Sequence, residues 1–248
     1  MLIKKIEKLL IQQRGYITKI PKKGDYAISM ISGGIDSITL ISFLIEKYNL
    51  IIYPLFIKRG QKNEKYEERA VNFFNKWFLV KYPNNYKNIF KLELDVPPKK
   101  LRANLLDYSK KKGIPLRDPI LQSIAVQYAI NISEKNNFNL RYIFTGINSE
   151  DPFPHSNLLS LRIQTLSVCS NTGDFTWQIT SPYIDPCMTD KIFSKKDIIL
   201  FANKVGLPLE KTRSCYLNKK EHCGNCMACK RRKQAFRDAG VKDKTKYL

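Results

Sequence analysis

Ser32-Gly33-Gly34-Ile35-Asp36-Ser37 lies between an apolar run, Tyr26 to Ile31, and an amphipathic run, Ile38 to Tyr48. A buried strand that turns sharply into a helix leaves backbone N–H groups unpaired at the helix start, and consecutive glycines let an anion approach them. The chemistry on offer is a phosphate cradle. The hydroxyls of Ser32 and Ser37 add donors, and Asp36 stands in the first helical turn, where a carboxylate caps amides or faces a magnesium ion. No lysine follows the glycines, so the stretch is neither the G-x-x-x-x-G-K-[ST] loop nor the G-x-G-x-x-G turn.

The second chemical cluster is Cys215, Cys223, Cys226 and Cys229, spaced C-x7-C-x2-C-x2-C among six cysteines in all. In a reducing compartment such spacing reads as a metal site and not as disulfides. Four thiolates from one short segment suit closed tetrahedral zinc, which would brace a small subdomain with little core. An iron–sulfur cluster is the chemical rival, since C-x2-C-x2-C also occurs there. Cys169 and Cys187 stand apart and read as core residues.

These residues need elements to hold them. Leu50 to Ile57 reads as a second strand, Glu64 to Val80 as a helix with one apolar and aromatic face, and Ile89 to Val96 as a third strand. Leu101 to Lys112 reads as loop or short helix. Pro119 begins a helix through Ile132, with Asp118 as its cap and Arg117 just ahead, within reach of a phosphate. Leu140 to Thr145 is a fourth strand running into Gly146-Ile147-Asn148-Ser149-Glu150-Asp151, an acidic turn suited to the N–H edge of a guanine-like base. Residues 152–190 read as loop-rich, with an outer strand at Thr176 to Thr180. A helix begins at Ser194, and Lys195 beside that cap is a candidate phosphate contact.

Strands alternating with helices predict a doubly wound, mostly parallel sheet, whose ligands sit beyond the carboxyl ends of the strands. The chain divides into a basic helical extension (1–24), an α/β domain (25–206) and a metal-binding subdomain (207–248). At 248 residues, 43% hydrophobic and 26% charged, it is long and apolar enough to bury a core. It contains neither an apolar run long enough to span a membrane nor a secretory signal, which points to the cytosol. The net charge of +21 is spread along the chain, so it disfavours nucleic acid as the specific partner without excluding it.

The lysine-free glycine turn resembles the SGGxDS loop of the PP-loop ATP pyrophosphatases, and with the rest of the chain it resembles the 7-cyano-7-deazaguanine synthase family. The likeness extends through Arg59-Gly60-Gln61, Gly146 to Asp151, Lys195 to Ile198 and Ser214-Cys215-Tyr216. It closes on His222-Cys223-Gly224-Asn225-Cys226-Met227-Ala228-Cys229 and the residues as far as Val241. It implies an adenine nucleotide alpha-hydrolase-like fold, ATP and Mg2+ at the cradle and Zn2+ at the cysteines. It also implies an ATP-dependent ligase: the carboxylate of a 7-carboxy-7-deazaguanine-like substrate is adenylated with release of pyrophosphate, and ammonia gives first amide, then nitrile.

Carried over by residue, Ser32, Asp36, Ser37 and Lys195 are the catalytic candidates. Ser32, Gly33, Gly34, Ile35, Asp36, Ser37, Arg117 and Gly146 would hold ATP, while Gln61, Asn148, Glu150 and Asp151 would hold the base. A homodimer is compatible with this. The family pattern breaks at Pro152 and Pro154-His155-Ser156-Asn157, where an arginine is missing, at Asp118 in place of an asparagine, and at Arg213 in place of a tryptophan. Arg162 is a candidate to supply the lost cation. Those departures open two alternatives: transfer of an activated deazapurine to another acceptor such as a protein, as in antiviral defence, or a tRNA-thiolating PP-loop activity. A nucleotide-sensing module is the non-catalytic reading.

Overall fold

The computed structural model describes residues 2–248. Five parallel strands form one sheet: β1 (Tyr26–Ile31), β2 (Ile51–Lys58), β3 (Phe90–Glu93), β4 (Leu140–Phe144) and β5 (Gln178–Thr180), in the order β3-β2-β1-β4-β5. Each crossover carries helix: α2 (Ile35–Tyr48), α3 (Glu64–Lys81), α4 (Leu106–Lys112) with α5 (Arg117–Asn136), and α6 (Leu158–Thr172). Helix α1 (Leu2–Arg14) precedes the sheet, and α7 (Lys195–Lys204) and α8 (Met227–Ala239) follow it. The strand order reverses beside β1, which puts the switch point of the sheet at the Ser32–Ser37 turn. This is the nucleotide alpha-hydrolase-like arrangement.

The buried face explains why α2 forms here. Ile38, Leu40, Ile41 and Leu44 are buried with Ala27 and Ile28 of β1, and Asn49 in the left-handed conformation ends the helix. No helix among the described residues is long and apolar enough to cross a membrane.

Two elements correct the sequence reading. The stretch expected to be loop contains α6, whose buried side includes Arg162, Gln164 and Thr165, so its inner face reads as polar. Asp118 lies inside the first turn of α5 and caps nothing; the N-cap is Leu116, in the left-handed conformation at φ 55°.

Arg162 reaches the other end of the fold. It is buried and ion-paired with Asp185 at 2.7 Å, with Glu7 of α1 at 3.2 Å from its Nε. Thr18 Oγ1 accepts from Arg162 at 2.7 Å and donates to Asp185 at 2.9 Å. This arginine holds the N-terminal extension against α6 and does not line the cavity at the cradle.

Candidate active site and four-cysteine cluster

At the carboxyl end of β1 the cradle closes on itself through its serines. Ser37 Oγ lies 3.1 Å from both the Ser32 amide, which donates to it, and Ser32 Oγ, and it donates to Gly34 O at 3.2 Å. Gly34 is the N-cap of α2 and offers no side chain, so the first-turn amides of that helix are left for a ligand. Gly33 has φ +78°, and a Cβ there would come within 2.8 Å of Glu67 O. Gly146, after β4, packs so tightly that a Cβ would meet the Ser37 amide at 2.9 Å. Both glycines are steric requirements.

Asp36 and Lys195 form the charged mouth, Nζ to Oδ2 2.9 Å, and the other oxygen of Asp36 is buried without a partner. Burial alone would lower the Lys195 pKa, but Asp36, with Asp151 and Glu150 behind it, outweighs burial and the net direction is upward. Asp151 is pushed up to about 6, chiefly by burial and next by the charge of Asp36. It is held in place by the Asn148 amide, which donates to it at 3.0 Å.

The start of α5 forms the opposite wall. Arg117 Nε donates to Asp118 Oδ1 at 2.7 Å, and Asp118 Oδ2 accepts from Ser156 Oγ at 2.8 Å. His155 Nε2 lies 3.8 Å from the same oxygen and has no hydrogen-bond partner. Burial pushes its pKa down more than Asp118 pulls it up, so the ring is neutral near pH 7. Burial would raise the Asp118 pKa, but the guanidinium of Arg117 outweighs it and the direction is down. Phe153 stacks on His155 with centroids 5.6 Å apart, and Gly113, at φ +76°, leaves the space both rings occupy.

The chain after α7 completes the cavity. The Arg213 amide donates to Gly33 O at 2.7 Å, its guanidinium covers the Tyr66 ring at 4.9 Å, and Arg213 Nη2 donates to Leu217 O. Ser214, Tyr216, Ala228 and Arg231 line the same cavity, of about 330 Å³. The sulfurs of Cys215, Cys223, Cys226 and Cys229 all lie within 4.8 Å of one another, close enough for one metal ion. Backbone amides of Leu217, Cys223 and Cys226 donate to cluster sulfurs at 3.3–3.4 Å, which favours thiolates. Asn63 Nδ2 donates both to Glu67 and to Cys215 O at 2.9 Å, so the cluster is tied to α3 beneath the cradle.

Of the residues singled out from sequence, Ser32, Gly34, Ile35, Asp36 and Ser37 line the cavity together with Arg117, Gly146, Asp151 and Lys195. Gly33 sits behind the turn. Gln61, Asn148 and Glu150 do not line it: Gln61 bonds the Arg59 amide and Glu67, Asn148 Oδ1 accepts from the Glu150 amide, and Glu150 accepts from the Lys195 amide at 2.8 Å. Sequence reasoning assigned no role to Glu67, Gln122, Phe153 or Arg231, which line it too. Glu67 and Gln122 look like solvent-facing helix positions in sequence and carry no motif. Arg231 belongs to the dense basic run at 230–233, which reads as a solvated face.

The family model described as "Queuosine biosynthesis protein QueC" matches residues 26–240. Among curated proteins, a 7-cyano-7-deazaguanine synthase of Aliarcobacter butzleri is 30% identical over 234 residues, covering 89% of this chain and 95% of its own. One from Acetivibrio thermocellus is 30% identical over 232 residues (90% and 97%), and one from Oceanobacillus iheyensis 26% over 239 residues (91% and 99%). A solved tRNA thiolase from Methanococcus maripaludis aligns over 94% of this chain and 70% of its own, at 15% identity and a TM-score of 0.40, a likeness too distant to bear on function.

Proposed function

This chain belongs to the QueC family, and from that premise we propose that its cavity performs the 7-cyano-7-deazaguanine synthase reaction, the synthesis of preQ0, with the residues assigned as follows. The function is of the QueC type and consumes ATP. The cradle amides and the hydroxyls of Ser32 and Ser37 would hold the β- and γ-phosphates, leaving the α-phosphate open to the substrate carboxylate. The carboxylate oxygen attacks that phosphorus and pyrophosphate leaves. Ammonia displaces AMP to give the amide; a second adenylation, on the amide oxygen, then leaves the nitrile.

Lys195, kept protonated by Asp36, is placed to neutralise charge developing on the departing pyrophosphate. The free oxygen of Asp36 and the neighbouring Asp151 fit a divalent cation such as Mg2+, which when bound would spread that same charge. Arg59 and Arg231 line the cavity and enter no ion pair among the described residues, so they are the cations available to the substrate carboxylate where Arg117 is engaged by Asp118. Asp151 would accept from the N–H edge of the base.

The four sulfurs fit Zn2+, whose tetrahedral thiolate site spaces its ligand atoms by roughly 3.8 Å. Sulfurs within 4.8 Å of each other leave room for a single ion and not for a multi-iron cluster. Its part is to hold α8, and with it Arg231, against the cavity.

The observation that carries this reading is the uncapped α2 start, with its glycines, beside the Asp36–Lys195 pair. The test is incubation with ATP, 7-carboxy-7-deazaguanine and ammonium, followed by mass spectrometry. The nitrile should appear with two AMP released per molecule, and Asp36→Asn should suppress pyrophosphate release. Absence of amide and nitrile with the wild-type protein would overturn it.

A further inference from the structure

A second cavity, of about 460 Å³, lies between α3, residues 210–213, residues 220–222 and residues 244–246. Its rim carries Arg69, Lys211, Lys220, Lys244 and Lys246, against two carboxylates, Glu210 and Glu221. None of the five cations has a carboxylate oxygen within 4.0 Å among the described residues. A concave surface with an excess of positive charge concentrates its field on an incoming anion.

The floor of the cavity is unusual in a second way. Arg213 and His222 are 6% and 4% exposed, and Arg213 Nε, His222 Nδ1 and Thr245 Oγ1 are buried with no hydrogen-bond partner. Buried polar atoms are rarely left unmet, and three on residues that line one cavity point to a missing partner. The same residues fix the rim: Arg213 Nη1 donates to Lys220 O at 3.3 Å, and the His222 amide donates to Lys246 O at 3.1 Å. Lys220 and Lys246 are therefore anchored to the floor through their backbone.

The aromatic rings here face cations: the Arg213 guanidinium lies 4.9 Å from the Tyr66 centroid and Lys211 Nζ 5.7 Å from that of Phe73. The charge of the cavity offers recognition of phosphate.

We propose that this cavity is a second phosphate site, distinct from the cradle although Arg213 lines both cavities. One phosphate of a polyphosphate or of a nucleic-acid backbone sits at Arg213, His222 and Thr245, and its neighbours meet Lys211, Lys220, Lys244 and Lys246. The two sources share one chemistry, and the probes below separate them.

The test uses the full metal-bound chain and the variant K244Q/K246Q, whose two lysines are exposed, unpaired and remote from the cradle. Binding of sodium tripolyphosphate is followed by calorimetry, and binding of a fluorescein-labelled single-stranded 12-nucleotide RNA by anisotropy. The variant should lose about fivefold or more in affinity for at least one probe, and the slope of log affinity against log salt for RNA should shrink by about 1.4, two single-strand contacts. ATP-dependent pyrophosphate release should be unchanged, which shows the fold is intact. Loss for tripolyphosphate alone assigns the site to a free polyphosphate, and loss for RNA, alone or with tripolyphosphate, to a strand. Less than fivefold loss for both probes overturns the proposal.

Discussion

Ser156 donates a hydrogen bond from Oγ to Asp118 Oδ2 at 2.8 Å, joining two of the three places in the cavity wall where this chain leaves the family pattern. These two departures are one arrangement: a carboxylate at 118 needs partners, and the 152–157 segment supplies Ser156 and a neutral His155. Removing the hydroxyl by S156A should cost about 1 kcal/mol of stability. D118N, which frees Arg117 to meet the substrate carboxylate, should lower the KM for the deazaguanine acid by about threefold with a smaller change in kcat. Steady-state kinetics separates the two.

Asp151 sets an acid limb. Its pKa of about 6 means the carboxylate is lost as the pH falls through that value, and with it the cation and base contacts proposed for it. The rate should fall below about pH 6. D151N should be slow at every pH and lack that limb. Because the folded-state pKa is raised, the charged form disfavours folding above the ordinary carboxylate range, so D151N should also melt higher than wild type at pH 7.

Gly33 and Gly146 tolerate no side chain. G146A drives a Cβ to within 2.9 Å of the Ser37 amide and G33A to within 2.8 Å of Glu67 O, the latter at positive φ. Backbone strain of about 1–2 kcal/mol is expected for G33A. Each variant should lose at least about tenfold in ATP affinity, measured by calorimetry, because the amides move from their phosphate positions.

Metal analysis should return one ion per chain, and the purified protein should be colourless. Chelation should loosen α8, thirteen residues long, and reduce far-ultraviolet ellipticity accordingly. Pyrophosphate release should fall in parallel, since Arg231 and Ala228 of that helix line the cavity. A brown protein with absorbance near 400 nm would contradict the assignment.

Arg162 and Asp185 are a buried pair whose separation should be costly. R162M leaves Asp185 charged, buried and short of a partner, and should destabilise the chain by about 3–5 kcal/mol in urea unfolding. Burial pushes the Asp185 pKa up, but the hydrogen bonds and charge of Arg162 outweigh it, so its pKa lies below the ordinary value. The contribution of the pair is therefore present above the ordinary carboxylate range and is lost as pH drops through the lowered value.

The parallel sheet was legible because β1, β2 and β4 are apolar runs bounded by turn residues, and the cradle was legible because its chemistry is local. The helix α6 was not, since Arg162, Gln164 and Thr165 on its inner side disguise a buried face as a polar one. Arg232 does the same for α8, being buried against Asp243 and Thr212. The acidic turn after β4 was only half legible: Asp151 faces the cavity, whereas Glu150 is spent on the start of α7, a distinction that depends on where a later helix docks. Arg162 illustrates the limit most plainly, since its partners Glu7 and Asp185 lie 155 and 23 residues away.

The bond from the Arg213 amide to Gly33 O joins segments made far apart in time on the ribosome. A nascent chain can form β1, α2 and β2 early, yet the wall contributed by Arg213, Ser214, Tyr216 and Arg231 is added only with the last segment, which carries the four cysteines. Nucleotide competence is thus a late event in the life of each molecule, and a growing cell short of the metal would accumulate chains with a finished sheet and an open, idle pocket.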